Sequence, residues 1–148
     1  MKLISFKEES LNDYIELATE FHSSPASYTP ANIDVFTRNF NAMMDGKGVH
    51  GWFIVNDDES IMGYVLGTEM FSTEIAQRVI WIEEFHIIEQ YRGKGYGSKV
   101  LETITNSFDD VVRFRLEVSP SNEKAIALYE RLGFNESPNN QMFFDKVA

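Results

Sequence analysis

The stretch Ile87-Ile88-Glu89-Gln90-Tyr91-Arg92-Gly93-Lys94-Gly95-Tyr96-Gly97-Ser98 constrains the fold of this chain more than any other. An apolar, strand-like run enters it, closely spaced glycines fill it, and an amphipathic helix carrying Val100, Leu101, Ile104 and Phe108 leaves it. A helix start exposes backbone N–H groups that have no partner inside the helix, together with the positive end of the helix dipole. Glycines let that backbone approach an anion closely, so a phosphate or pyrophosphate is the natural ligand. Arg92 and Lys94 place positive charge there, although the chain as a whole has 23 acidic and 13 basic residues and a formal net charge of −10.

Three phosphate-binding patterns compete for this turn. A Walker loop needs Gly-Lys followed by Ser or Thr, and Lys94 is followed by Gly95. A dinucleotide fingerprint needs G-x-G-x-x-G, whereas the spacing here is G-x-G-x-G. Glu117 does lie at the distance of a ribose-binding acid, about twenty residues on. However, the turn falls too late in the chain to leave room for a doubly wound domain. The third pattern, Gln/Arg-x-x-Gly-x-Gly/Ala, is met by Gln90, Gly93 and Gly95.

The rest of the chain supplies the frame. Lys2–Phe6 reads as a short strand, and Ser10 as the cap of a helix with Leu11, Tyr14, Ile15, Ala18 and Phe21 on one face. After a loop through Tyr28, Thr29 is expected to cap a second helix with Pro30 at its first position. Ile33, Phe36, Phe40 and Met43 or Met44 form the apolar stripe of that helix, and Gly46 and Gly48 end it. Strands are expected at Val49–Val55, Ile61–Phe71 and Val79–Ile88, the first two joined by the turn Asn56–Ser60. A helix from about Gly97 to Phe108, a strand at Val111–Val118 and a helix from about Asn122 to Leu132 follow the glycine turn. Gly133 stands where a positive φ ends a helix, and Phe134–Glu136 and Gln141–Lys146 read as closing strands. The order is β-α-α-β-β-β-α-β-α-β(-β). It describes an α/β (α+β) fold with a mixed central sheet flanked by about four helices, in one domain over residues 1–148.

Composition narrows the chemistry. There is no cysteine, which excludes disulfides, thiolate metal sites and a cysteine acyl-enzyme. The three histidines show no metal-ligand spacing, so no metal is expected. The acidic surface argues against nucleic-acid binding. It suits plain solubility first, and a cationic small substrate second. No apolar run approaches the roughly 20 residues of a membrane span, and the N-terminal residues do not form a signal peptide. The expectation is a cytoplasmic protein with no membrane partner.

A second motif, Asn122-x-x-Ala125-x-x-x-Tyr129-x-x-x-Gly133-Phe134, follows the glycine turn after one strand. Together the two motifs and the element order resemble the GNAT superfamily of N-acetyltransferases, firmly from Gly63 to Phe134 and loosely before that. The resemblance implies acetyl-CoA as co-substrate. It aligns the pantetheine arm with the backbone of Phe85, His86 and Ile87. It sets the pyrophosphate on amides of Arg92, Gly93, Lys94, Gly95, Tyr96, Gly97 and Ser98. Asn122 would face the pantetheine, Ala125 would leave room for it, and Tyr129 would reach the coenzyme sulfur as the acid.

The acceptor amine is protonated at neutral pH, with a pKa of about 10.4 for a lysine-like group, and must lose a proton before it attacks. Glu83 is the preferred base, because an acidic pair stands at this place in diamine acetyltransferases and their proposed base matches Glu83. Glu84 is close behind, and a water chain is the alternative. Adjacent positions on a strand put the two carboxylates on opposite faces, and both could instead pair with Arg113 and Arg115. His86 alternates with Phe85 and Ile87 and reads as a packed histidine. His22 and Tyr28, in the loop between the first two helices, are candidate substrate contacts. Other members carry their acid near Trp81 or Val79, where this chain has none, and often a proline where Glu89 stands.

The function implied is direct acetyl transfer to a primary amine of a small cationic molecule, polyamine- or amino-sugar-like. Acetylation of a protein N-terminus or lysine, or an idle CoA-binding module, are the alternatives. Dimers are common among relatives, so a homodimer is compatible with the resemblance.

Overall fold

Val49–Val55 and Ile61–Ser72 form strands β2 and β3 because each alternates apolar side chains between two faces and the chain reverses sharply between them. In that turn the Asn56 amide donates to the Ser60 carbonyl at 2.9 Å, and Glu59 takes a positive φ of 72°. The computed structural model describes residues 1–146. Its other elements are β1 (Lys2–Ser5), α1 (Leu11–His22), α2 (Ile33–Met44), β4 (Gln77–Ile87), α3 (Tyr96–Thr105), β5 (Arg113–Leu116) and α4 (Glu123–Arg131). The strands make one sheet in the order β1-β2-β3-β4-β5, antiparallel except for the last pair, β4 and β5, which run parallel.

Strand alternation builds two cores. On one face Phe53, Val55, Tyr64 and Leu66 pack against Tyr14, Leu17 and Ala18 of α1 and Phe36 and Phe40 of α2. On the other Ile54, Val65 and Ile82 pack against Val100, Leu101 and Ile104 of α3, with Leu128 and Tyr129 of α4 at the margin. Burying a large apolar side chain contributes about 1.5–3 kcal/mol, so each face holds its helices by several such contacts.

The cap of α2 and the closing strands need correction. The cap of α2 is Asn32, whose side chain accepts the amides of Asp34 at 3.0 Å and Val35 at 3.3 Å. The helix therefore opens at Ile33, three residues later than expected, and Ile33 is left exposed. Ser10 stands at the N-cap position of α1 as expected, at the end of a short 3-10 turn (Glu8–Ser10), but its hydroxyl accepts the amide of Lys7 at 2.9 Å rather than one inside α1. Among the described residues no strand follows α4. Ser137-Pro138-Asn139-Asn140 breaks the run, and no backbone hydrogen bond joins residues 141–146 to the sheet. β5 is also shorter than expected, since Val111 is held in a turn by its amide bond to the Phe108 carbonyl at 3.1 Å.

The β3–β4 hairpin end of the sheet is sealed by charge. Arg78 on β4 donates through Nε to Glu69 of β3 at 2.9 Å and through Nη1 to Asp110 at 2.7 Å, while lying over the Phe108 ring. His50 of β2 also meets Glu69. These partners, the Arg78 guanidinium foremost, pull the Glu69 carboxyl from its ordinary 4.5 down to about 2. A carboxyl lowered on folding adds stability above its unfolded pKa and loses it as pH falls through the folded value. The melting temperature should therefore decline between about pH 5 and pH 2, and Glu69→Gln should flatten that decline while lowering stability at pH 7. Calorimetry across that pH range measures both slopes.

Candidate active site

β4 outruns its neighbour. β5 pairs with it only from Val79↔Arg113 to Ile82↔Leu116, whereas β3 accompanies it to Gly63↔Ile87. From Glu83 to Ile87, β4 therefore has a strand on one side and, among the described residues, an unpaired edge on the other. The edge lies at the carboxyl ends of the two parallel strands, the usual place for a ligand in such a sheet. Gly63 permits this pairing, because a Cβ there would fall 1.9 Å from the carbonyl oxygen of His86.

Glu83 interrupts the β3–β4 register. Leu66 opposes Glu84 and Gly67 opposes Ile82, so Glu83 is the extra residue of a bulge. The bulge overturns the expectation of opposite faces. Glu84 accepts from the Tyr64 hydroxyl at 2.7 Å, and Glu83 from the Thr68 hydroxyl at 2.9 Å. Tyr64 and Thr68 share the α1/α2 face of β3 by strand alternation, so both carboxylates look that way. Glu84 is largely buried, while Glu83 is exposed. Neither pairs with the arginines of β5, since Arg113 meets Glu74 at 3.0 Å and Arg115 lies over Trp81. Phe85 and Ile87 join the α3/α4 core, and His86 points away from them. The His86 ring is buried, with Nε2 3.5 Å from Glu20 Oε1, and burial holds its pKa below the ordinary histidine value.

Past Ile87 a 3-10 turn (Glu89–Tyr91) leads into the glycines. Gly93 and Gly95 take φ values of +74° and +81°, and a Cβ at either would meet nothing within 4 Å. The cradle is thus open and its backbone left-handed, which is why glycine stands there. No side chain caps α3, and the first helical amide to find a carbonyl is that of Lys99, on Gly95 at 3.4 Å. The amides of Tyr96, Gly97 and Ser98 open the helix. Arg92 Nε donates to the Ile87 carbonyl at 2.7 Å, tying the turn to the end of β4. Gly97 has a different reason for lacking a side chain: a Cβ there would lie 3.1 Å from Leu128 of α4.

On α4, Asn122 is the N-cap, and its side-chain oxygen accepts the Ala125 amide at 3.2 Å. Tyr129 packs in the α3/α4 core beside Phe134, and burial raises its phenol above the ordinary 10.

On the opposite face, His22 is the last residue of α1 rather than a loop residue. Its Nε2 lies 3.0 Å from Glu84, and its Nδ1 lies 2.8 Å from the Ser27 hydroxyl and 3.0 Å from the Thr29 carbonyl. Tyr28 is exposed, and its hydroxyl meets that of Ser119, after β5, at 2.9 Å. A cavity of about 190 Å³ is lined by His22, Thr29–Ala31, Asn32, Phe36, Asn39 and Glu84, among others. Tyr64, Asn32 and Asn39 were not readable as site residues, because only the tertiary contacts gather them. Asn39 in turn donates to Tyr14 at 3.4 Å, and burial pushes the Tyr14 phenol up to about 12. Among the described residues no cluster of three or more histidine, aspartate or glutamate side chains is placed to hold a metal. No described helix is long and apolar enough to cross a membrane.

Residues 11–134 match the model of the Acetyltransferase (GNAT) family. The uncharacterized N-acetyltransferase YycN of Bacillus subtilis (strain 168) is 30% identical over 147 residues, 91% of this chain and 92% of that protein. The thialysine N-epsilon-acetyltransferase of Sus scrofa is 36% identical over 75 residues, 49% of this chain and only 44% of the relative. The matched stretch thus spans less than half of that curated protein. A crystal structure of a probable acetyltransferase superposes with a TM-score of 0.83 at 17% identity, covering 100% of this chain and 99% of that one, a likeness of fold.

The two carboxylates should differ in what they hold together. Tyr64→Phe removes a buried donor from Glu84 and should cost about 1.5–3 kcal/mol. Thr68→Val, beside the exposed Glu83, should change stability by less than about 0.5 kcal/mol. Urea titration of the two variants checks the contrast.

Proposed function

This chain belongs to the GNAT acetyltransferase family, and on that premise we propose that it transfers the acetyl group of acetyl-CoA to the primary amine of a small cationic molecule. The observation that carries the reading is the unpaired edge of β4 running straight into an uncapped helix start. The edge offers main-chain donors and acceptors to an extended amide chain, as an added strand would use them. Phe85, His86 and Ile87 are the residues for the pantetheine amides. The amides from Arg92 through Gly93, Lys94, Gly95, Tyr96 and Gly97 to Ser98 suit the diphosphate, because the left-handed glycines leave the approach clear. Asn122 spends its oxygen on the helix cap, so its side-chain NH₂ is the group left for the coenzyme, with Ala125 small enough to admit it.

When bound, the coenzyme supplies an acetyl thioester. The acceptor ammonium would first lose one proton to the base; the freed nitrogen would then bond to the acetyl carbon as the carbon–sulfur bond breaks, giving up a second proton while the sulfur gains one, so that one proton is released overall. Glu84 is the favoured base, ahead of Glu83, because it lines the cavity on the α1/α2 face and Glu83 does not. His22 and Tyr64 hold that carboxylate in place. Tyr129 gives its proton to the departing sulfur, and burial keeps the phenol protonated until then. Base and acid sit on opposite faces of the sheet, with the open edge of β4 between them. The thialysine relative, named for an amine on a small molecule, agrees with this substrate class. A net charge of −10 also favours a cationic acceptor. We place the reaction in the cytoplasm.

The test is coenzyme thiol release from acetyl-CoA across polyamines, amino sugars and peptides. Release that depends on a polyamine or amino sugar supports the proposal, better turnover of peptides redirects it to protein acetylation, and no amine dependence leaves an idle binding module. With the best amine, Tyr129→Phe should lower kcat about 10²–10⁴-fold with little change in KM for acetyl-CoA. Wild-type turnover removes its role as acid.

Gly95→Glu should abolish CoA binding in titration calorimetry, by strain and by charge at the diphosphate. It should cost only about 1–2 kcal/mol of folding stability, since nothing crowds the position. Unchanged affinity would show that the turn does not hold the coenzyme.

A further inference from the structure

The cavity beside Glu84 combines a single carboxylate with an apolar wall. Pro30, Ala31, Val35 and Phe36 give it aliphatic and aromatic surface, and Glu84 is the one carboxylate that lines it among the described residues. Glu83 is turned to the same face of the sheet, but it is exposed and lies outside the lining. His22 stacks on Phe36, with ring centroids 5.3 Å apart, and turns Nε2 to Glu84. The two carboxamides of the lining are neutral and already serve the fold. Asn32 Oδ1 accepts the first amides of α2, and Asn39 donates to the Tyr14 hydroxyl.

The apolar character continues outward. Ile33 and Val35 stand in the first turn of α2, and Tyr28 directly precedes the lining run Thr29–Asn32. These three are 60%, 38% and 85% exposed. Apolar side chains gathered in water mark a binding surface, as the same residues scattered singly do not.

Charge and wall together select what enters. A primary ammonium finds its counter-charge at Glu84. A second ammonium on the same molecule would meet neutral carboxamides or apolar wall, and would leave water without an opposite charge to receive it. The hydroxyls of a sugar would meet the same wall, with two engaged carboxamides as their partners. An alkyl or aryl group gains by leaving water for Val35 and Phe36. We infer that this cavity takes a primary monoamine with an apolar body, an alkylamine or arylalkylamine, in preference to polyamines and amino sugars. That this amine is the acceptor rests on the acetyl-transfer reading; that it binds here does not.

Proton–nitrogen NMR titration of the full chain with phenylethylamine, putrescine and glucosamine, with and without coenzyme A, reads binding apart from turnover. Phenylethylamine should shift the amides of His22 and of residues 31–36, with a dissociation constant about tenfold or more below that of either competitor. Val35→Asp sets a second carboxylate in the wall, at a first-turn position where a helix favours an acid, so the variant should fold. It should move the ratio of the phenylethylamine and putrescine affinities about tenfold toward putrescine. Equal or tighter binding of putrescine or glucosamine by the wild type overturns the inference. So does an absence of shifts at these residues in both conditions, or a folded Val35→Asp variant with the wild-type ratio. Coenzyme release from acetyl-CoA tells the two readings apart. Phenylethylamine bound at these residues without release upholds the preference of the cavity and counts against acetyl transfer. Release that favours putrescine keeps acetyl transfer and overturns the preference.

Discussion

The parting of β5 from β4 after Ile82 is the constraint on which the site depends. A β-strand in a sheet normally has its polar backbone satisfied on both sides. Here β3 continues to support β4 through Ile87 while the other side is released, so the edge is held rigid and remains available. The bulge at Glu83 falls at the same point. It adds a residue where the ladder loses a strand, and it turns two successive carboxylates toward the α1/α2 face. Without Gly63 the supporting strand could not come close enough, and the end of β4 would be free to fray.

The two ends of the sheet do different work. Around the β3–β4 hairpin, Glu69, Arg78, Asp110 and His50 join three strands and the α3–β5 connection. Arg113 is paired with Glu74 at the same end. The opposite end carries the Tyr64 and His22 contacts to Glu84, the N-terminal ammonium on Asp57 and the bond from Arg92 to the Ile87 carbonyl.

Local signals made much of the fold legible. β2 runs over Val49–Val55 as read, because apolar alternation and turn residues bracket it tightly. The glycine turn and the Asn122–Phe134 motif were equally plain, since residue type alone dictates left-handed backbone or a helix cap. Long-range pairing was not legible. The Glu83 bulge exists only relative to β3, so strand periodicity assigned the two glutamates to opposite faces. His22 and Glu84 are 62 positions apart, and Tyr28 and Ser119 are 91 apart. Thr29 and Asn32 both had the chemistry of a cap, and the side chain that meets the two following amides is that of Asn32. The closing strands had suitable composition, but composition cannot say whether a partner edge is within reach.

Gly97 has a separate consequence. Its missing methyl group lets Leu128 settle against the first turn of α3, with only 3.1 Å to a Cβ at that position. One turn of helix and one leucine therefore set the depth at which α4 sits, and Tyr129 is the next residue along. The loop that would grip one end of a long, flexible ligand and the side chain that would meet its other end are thus gauged from a single point. Drift at that point would detune both at once, although neither touches the other.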